Sequence, residues 1–289
     1  MATLYTHQSN NVLKTWFLMG LFFTFVIGIG FFFSQYYGNP TILYFFVIFS
    51  IFMNITSYWY SDKIALKLNG AREIKKEDHP ELWNIIENLS ITAGLPMPRI
   101  AIINDPAPNA FATGRNKEHA LVGVTTGLLQ ILDRTELEGV IAHELSHVGN
   151  RDILLSTVMV VLAGFVSILA NFFLHGGHLA GDRDNKVGGV LAIVGIVFVI
   201  LSPIFTTIIQ LAVSRKREFL ADATGALLTR YPEGLANALV KISQNSQKMH
   251  KANTATAHLF ISNPFGSKVS NLFSSHPPVE ARVKALIGK

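Results

Sequence analysis

Two histidines and a glutamate stand close together in the stretch VIAHELSHVGNRD, residues 140–152. His143 and His147 are four residues apart, so on a helix both imidazoles project from one face at a separation that a single metal ion can bridge. Glu144 lies beside them and can take a proton from water that such a metal activates. This H-E-x-x-H spacing predicts a hydrolase that holds one zinc ion per chain.

A catalytic zinc ion usually has three protein ligands, so a third ligand must follow elsewhere. A metzincin would need a glycine and then a histidine at the positions that Asn150 and Ile153 occupy, which excludes that class. A site-2-type protease would carry the motif inside an apolar span, but this helix contains Glu136 and Glu138. We therefore expect the motif helix to lie outside the hydrocarbon.

The segment SRKREFLADA, residues 214–223, supplies a candidate third ligand in Glu218. Asp222 follows one helical turn later and is expected to orient a ligand histidine through the second ring nitrogen. The alternative is that both carboxylates belong to a solvated basic patch. Because an apolar hairpin separates this segment from His147, the chain is expected to return to the same side of the membrane and to assemble the site near the membrane surface.

Four apolar runs, each long enough to cross a bilayer, indicate a membrane protein. They lie at about residues 15–33, 41–60, 153–174 and 187–213. Hydrophobic residues make up 49% of the 289 residues and charged residues 15%, a balance that is unusual for a soluble protein. A buried soluble helix is the alternative for any one run. A cleavable signal peptide is a weaker alternative for the first run, because no small-x-small cleavage site follows it.

Lysine and arginine are concentrated after the second run, before the third and after the fourth. Because such loops stay in the cytoplasm, both termini and the active site are expected there. His175 and His178 would then lie on the opposite side of the bilayer from the site. We favour ordinary polar loop histidines at these positions over a second metal site. The net charge of +5 follows from this bias and from attraction to the lipid bilayer, without nucleic acid as a partner. The absence of cysteine excludes disulfides.

Residues 61–152 are predicted to form a folded unit between the second and third runs. Asp78 with Glu81, and Thr135 with Glu138, have capping-box spacing and predict two helices. Three short strands are predicted at residues 99–104, 109–114 and 119–125, the second of them exposed. A stretch rich in serine, asparagine and lysine, residues 245–275, is expected to include a mobile loop that either covers the cleft or leaves it open.

Taken together, these motifs resemble the HtpX-like family of bacterial membrane zinc endopeptidases, gluzincins related to the CAAX prenyl proteases. The matching segments are HELSH at 143–147, SRxxExxAD at 214–222, NAFATG at 109–114 and SSHPPVEARV at 274–283. Ser275 stands where the family's S-T-H-P pattern has threonine. The resemblance covers nearly the whole chain. It implies stress-linked degradation of misfolded or damaged membrane proteins at the cytoplasmic face of the inner membrane, together with other membrane proteases of quality control.

The resemblance also implies roles for two further segments. An edge strand would pair with extended substrate through the backbone, with an ordinary internal strand as the alternative. The residues concerned are Asn109, Ala110, Phe111 and Ala112. His276 would stabilise the oxyanion, with a helix-capping role of equal weight.

The predicted fold is that of a mainly α membrane protein, with four transmembrane helices and a cytoplasmic α+β gluzincin-type metalloprotease domain that contains a small β-sheet. Transmembrane hairpins are expected at residues 1–60 and 153–213, and protease regions at 61–152 and 214–289. The His/His/Glu set also accepts other divalent metals. Two alternatives to the leading function stay open: a prenyl-protein (CAAX-type) processing protease, and a non-catalytic membrane adaptor that binds no metal.

Overall fold

The structure is a computed structural model, and it describes residues 4–176, 215–253, 256–266 and 277–288. The helices in this part of the chain are α1 Leu4–Tyr37, α2 Pro40–Asn69, α3 Pro80–Ala93, α4 Thr126–Ile131, α5 Arg134–Gly149, α6 Asp152–Gly176, α7 Arg215–Thr229, α8 Pro232–Gln244 and α9 Val279–Ile287. The strands are β1 Ala71–Glu73, β2 Arg99–Ile103, β3 Ala110–Thr113 and β4 Leu121–Thr125. A mainly helical fold with one small sheet is therefore confirmed.

Two helices among the described residues are long and apolar enough to cross a membrane, at Ser9–Tyr37 and Pro40–Asn69. In the most apolar 18-residue stretch of each helix, only 33% and 11% is buried. Most of the surface of these two helices therefore faces outward, where lipid would cover it. These helices correspond to the first two predicted spans. They are longer than predicted, because α1 begins at Leu4 and α2 continues to Asn69.

Helix α6 coincides with the third predicted span and packs against the first two helices. Leu154, Val158 and Phe165 of α6 share a buried cluster with residues of α1. The Phe165 ring lies 5.7 Å from that of Phe22 and 4.9 Å from that of Phe49, measured between centroids. The predicted fourth span, residues 187–213, lies outside the described residues, so the count of four spans stays a prediction.

The four strands form one mixed sheet in the order β1, β2, β4, β3. Strands β2 and β4 run parallel, whereas the two outer pairs are antiparallel. Successive side chains point to opposite faces. Ile100 and Val122 therefore lie in the core with α3 and α5, while Ala101 and Leu121 face the cluster that includes residues of α2 and α6. Both faces of the sheet are covered.

Strand β3 lies at the edge of the sheet, but the prediction that it is exposed is wrong, because all four of its residues are buried. Phe111 forms an antiparallel bridge with Phe260, and the Ile261 N–H donates to the Ala110 carbonyl at 2.9 Å. Covering an unpaired edge in this way satisfies its backbone groups. The covering segment belongs to the stretch 245–275, part of which packs against the sheet. Residues 267–275 lie outside the described residues, so the mobile loop expected in this stretch stays a prediction.

The capping box of α5 is displaced by two residues from the predicted position. Asp133 is the N-cap: its carboxylate accepts from the Glu136 N–H at 3.0 Å, and the Glu136 carboxylate accepts from the Asp133 N–H at 2.9 Å. The predicted pair, Thr135 and Glu138, overlaps this one in sequence. The earlier box is also joined by Lys241, whose ammonium group donates to Glu136 at 2.7 Å.

The predicted capping box of α3 is likewise wrong. His79 caps the helix, because its Nδ1 accepts from the Leu82 N–H at 3.2 Å. The Asp78 carboxylate accepts instead from the Lys75 N–H at 2.9 Å, in the turn before the helix. Asp78 therefore serves the turn, and the neighbouring His79 serves the helix end.

Candidate metal centre

Helix α5 places the two motif histidines side by side in the protein interior. The Nε2 atoms of His143 and His147 lie 3.2 Å apart, and the rings are nearly perpendicular at 89°. His143 is fully buried, whereas the His147 side chain is 16% exposed, so only one edge of the pair is open to solvent. The separation of four residues produces the shared face that the sequence predicts.

Helix α7 brings the carboxylate of Glu218 to the same point. Its Oε2 atom lies 3.7 Å from His143 Nε2, and its Oε1 atom lies 3.7 Å from His147 Nε2. The candidate ligand atoms of all three residues are within 4.8 Å of one another. Two imidazole nitrogens and one carboxylate oxygen that converge in a buried position fit a zinc ion that keeps a fourth position open.

The close approach of α7 to α5 depends on a position without a side chain. Glu218, Asp222 and Gly225 follow one another at helical spacing and form the buried face of α7. A Cβ at Gly225 would lie 3.0 Å from the backbone nitrogen of His143, closer than a normal contact. Glycine therefore allows the two helix backbones to meet next to the candidate ligand.

Each histidine also contacts a carboxylate through its second ring nitrogen. His143 Nδ1 lies 2.9 Å from Asp222 Oδ1, and His147 Nδ1 lies 2.9 Å from Asp152 Oδ2. A protonated Nδ1 donates to the carboxylate, and Nε2 then keeps its lone pair for a metal. Asp222 was predicted in this place. The corresponding role of Asp152 was not, although Asp152 lies only five residues after His147.

A buried arginine of α9 completes the surroundings of Asp222. The Arg282 guanidinium donates through Nε to Oδ2 at 2.9 Å and through Nη2 to Oδ1 at 2.6 Å. Both side chains are almost completely buried. Sequence reasoning did not assign a role to Arg282, although it lies within the SSHPPVEARV segment. Two parallel charge-assisted hydrogen bonds fix the carboxylate in one orientation.

The surroundings shift the pKa values of the two histidines in opposite directions. Burial lowers the pKa of His143 to about 4, against the opposing effect of Asp222. Burial also opposes the charged form of His147, but the hydrogen bond to Asp152 and the charges of Glu218 and Glu144 raise its pKa to about 9. The metal-free protein therefore carries a proton on His147 at neutral pH, and binding of a metal must displace it.

Glu144 is buried in α5 and lines a cavity together with His147 and Glu218. Ala112 of β3 lines the same cavity, as do His258 and Leu259. Part of the stretch that follows α8 therefore covers one side of the candidate metal group.

The predicted substrate strand is only partly turned toward this cavity. Ala112 lines it, but the side chain of Asn109 is bound to the backbone of Ser262 by two hydrogen bonds of 2.9 and 3.1 Å. His276, the predicted oxyanion stabiliser, lies outside the described residues, as does His178, which was expected to be an ordinary loop residue. Their predicted roles stay predictions.

The fold and this site together define a membrane metalloprotease of the H-E-x-x-H class. The model of Peptidase family M48 matches residues 76–289. The chain belongs to this family, in which the metal is generally zinc.

Relatives of similar length extend the comparison over nearly the whole chain. The chain is 46% identical over 291 residues to a Protease HtpX homolog of Caldanaerobacter subterraneus, covering 98% of this chain and 97% of the relative. It is 46% identical to a Protease HtpX homolog of Dictyoglomus thermophilum, with coverage of 98% and 94%. It is 47% identical to one of Pyrococcus furiosus, with coverage of 94% for both chains. The recognition of an HtpX-like protease is therefore confirmed.

A solved structure shows the same fold. The crystal structure of S. mikatae Ste24p matches 98% of this chain and 66% of its own, with a TM-score of 0.50 and 18% sequence identity. At this identity the likeness concerns the fold alone.

Proposed function

We propose that the chain is a zinc-dependent endopeptidase that cleaves misfolded or damaged membrane proteins at the cytoplasmic face of the bacterial inner membrane, as part of the response to stress. The proposal rests on the convergence of His143, His147 and Glu218, whose candidate ligand atoms all lie within 4.8 Å of one another. Helix α6, which packs on the apolar hairpin, begins at Asp152, directly after the motif helix. That connection supports catalysis next to the membrane.

In the proposed mechanism, His143 and His147 would hold zinc through Nε2 and Glu218 through a carboxylate oxygen. When bound, zinc supplies a Lewis acid that polarises the scissile carbonyl and increases the acidity of water. The Glu144 carboxylate takes the proton of the attacking water and then passes it to the leaving amine. His276 is proposed to stabilise the oxyanion. Asp222 orients His143, because its carboxylate holds Nδ1.

We propose that extended substrate pairs with the β3 edge, within the segment Asn109–Ala112. Ala112 lines the cavity that Glu144 also lines, which supports pairing next to the metal group. The Ala110 carbonyl is already bonded to the Ile261 N–H. Substrate that pairs along the whole edge must therefore displace the Phe260 segment. Because this pairing uses the substrate backbone, only extended, unfolded segments are expected to compete with the Phe260 segment for the β3 edge.

The proposed cytoplasmic orientation rests on the positive residues near the ends of the spans. Asn11, near the start of α1, contacts Asp152 beside the candidate metal group, which supports placing this end of α1 and the site on one side of the membrane. The last turns of α2, which reach the sheet on that side, carry Lys63 and Lys67, and Arg72 follows in β1. Positively charged flanks favour the cytoplasmic side.

Cleavage by the full-length protein and by Glu144→Gln, reconstituted with zinc, tests the proposed reaction. We expect the variant to retain zinc and to lose activity on an unfolded membrane protein by at least about 100-fold. Glu81→Gln is the matched control, because Glu81 is exposed on α3 and should leave cleavage unchanged. Full activity in Glu144→Gln would contradict the mechanism. A preference for C-terminal prenylated peptides would favour the processing protease, and a wild-type chain without metal or cleavage would favour the adaptor.

A further inference from the structure

The contact between His147 and Asp152 depends on a break between two helices. In one continuous helix, residues five apart point about 140° away from each other, so their side chains cannot meet. Here α5 ends at Gly149, and Arg151 takes a left-handed conformation with φ 58°. The break turns Asp152, the first residue of α6, back toward the ring of His147.

The carboxylate of Asp152 is held by a residue from the first membrane helix. The Asn11 side-chain amide donates to Asp152 Oδ1 at 2.7 Å and to the Asn150 carbonyl at 3.2 Å. Asn11 is 5% exposed and Asp152 is 4% exposed. A buried amide with two such partners is a specific contact, since a buried polar group that loses its partner is destabilising.

Helix α7 reaches the same carboxylate. Arg217 Nη1 lies 3.4 Å from Asp152 Oδ1, and Arg217 directly precedes the candidate ligand Glu218. Asp152 thus contacts one residue each of α1, α5 and α7. The residue of α5 is the candidate ligand His147, and the residue of α7 directly precedes the candidate ligand Glu218. Asn11 lies outside residues 76–289, the part that the family model matches.

We propose that Asn11 and Asp152 are positioning residues for His147: Asp152 fixes the ring through Nδ1, and Asn11 fixes Asp152 from the first membrane helix. This inference rests on the proposed function, because it assigns His147 as a zinc ligand. Outer partners of metal-bound histidines contribute about 10- to 100-fold to metal affinity. Docking of α1 is therefore part of the assembly of the metal centre, and the span does more than anchor the enzyme.

The competing reading is that Asn11 only joins two helices, so that its loss would weaken the fold and leave zinc affinity intact. A double-mutant cycle separates the two readings, because residues that act through one another are not additive. If Asn11 acts through Asp152, then Asn11→Ala should have little further effect on zinc affinity once Asp152→Ala is present.

The test uses the full-length protein in detergent, with zinc affinity measured by competition with a chelator and the visible spectrum recorded after loading with Co²⁺. We expect Asn11→Ala to weaken zinc binding by about tenfold and to alter the Co²⁺ spectrum. Asn10→Ala is the matched control, since Asn10 is the exposed neighbour of the same residue type. Asn11→Asp keeps the packing volume, lacks the amide donor and should weaken zinc binding as well.

Wild-type zinc affinity and an unchanged Co²⁺ spectrum in both Asn11 variants would overturn this inference alone. Equal losses from Asn11→Ala with and without Asp152→Ala would also overturn it, because the two residues would then act independently. A wild-type chain that binds no zinc would overturn the proposed function and this inference together. The first two results leave zinc on the wild-type chain, so the failures are distinguishable.

Discussion

Nδ1 of His143 lies 2.9 Å from Oδ1 of Asp222, and the same carboxylate accepts two hydrogen bonds from the buried guanidinium of Arg282. Burial opposes ionisation of Asp222, but the hydrogen bonds from Arg282 and His143 hold its pKa well below the usual range. One carboxylate therefore neutralises a buried cation and orients a candidate ligand. The two roles can be separated by mutation.

Asp222→Ala is expected to impair both stability and metal binding. Removing one partner of a buried ion pair costs about 3 to 5 kcal/mol, because Arg282 keeps a charge without compensation. Loss of the Nδ1 contact should weaken zinc binding by about 10- to 100-fold. The double variant Asp222→Ala with Arg282→Met should recover much of the melting temperature and none of the zinc affinity. Wild-type zinc affinity in either variant would show that Asp222 does not orient His143.

Gly225→Val should force α7 away from α5. The added side chain would meet the backbone of His143, and overpacking of this kind costs about 1 to 3 kcal/mol. We expect a lower melting temperature and weaker zinc binding, because Glu218 moves with the helix. Ala223→Val is the control, since Ala223 is exposed on the same helix and loses only helix propensity. Equal effects of the two substitutions would argue against a requirement for close contact at Gly225.

Zinc binding should become tighter as the pH rises from 7 to 9. The pKa of His147 in the metal-free protein is raised to about 9, so below that pH a proton competes with the metal for the ring. The apparent affinity should increase about tenfold per pH unit and level off near pH 9. Chelator competition at several pH values measures this slope. A plateau that begins near pH 6.5, the ordinary pKa of histidine, would mean that the carboxylates do not hold this proton.

Spacing along single helices was sufficient to predict much of the site. His143, Glu144 and His147 share a face because they lie within one turn, and Glu218 precedes Asp222 by one turn on another helix. Pairing of the two helices was predicted from the apolar hairpin that the sequence leads us to expect between them. These predictions needed only the helical period and the order of the spans.

Contacts across breaks and between distant segments were not predictable in this way. Asp152 meets His147 only because Arg151 takes a left-handed conformation, which no local pattern in the sequence requires. Asn11 looks like a polar residue ahead of an apolar run, and its partner lies 141 positions away. Burial of strand β3 likewise depends on Phe260, whose pairing with Phe111 joins segments that the sequence separates widely.

Overlapping motifs explain the errors at the helix starts. Asp133 with Glu136 and Thr135 with Glu138 both satisfy the spacing of a capping box, and the sequence alone does not choose between them. The structure uses the first pair, which Lys241 also joins. The capping box that forms is thus the one that also bonds to Lys241 of the distant helix α8.

The most direct test of the account is the zinc content of the full-length wild type beside Glu218→Ala, determined by mass spectrometry on detergent-purified protein. Glu233→Ala, at an exposed position of α8, is the matched control. Casein cleavage after addition of zinc is measured on the same samples. We expect about one zinc per chain in the wild type and the control, and loss of both zinc and cleavage in Glu218→Ala. Retained zinc and unchanged cleavage in Glu218→Ala would contradict the assignment of the third ligand and the assembly of the site from α5 and α7.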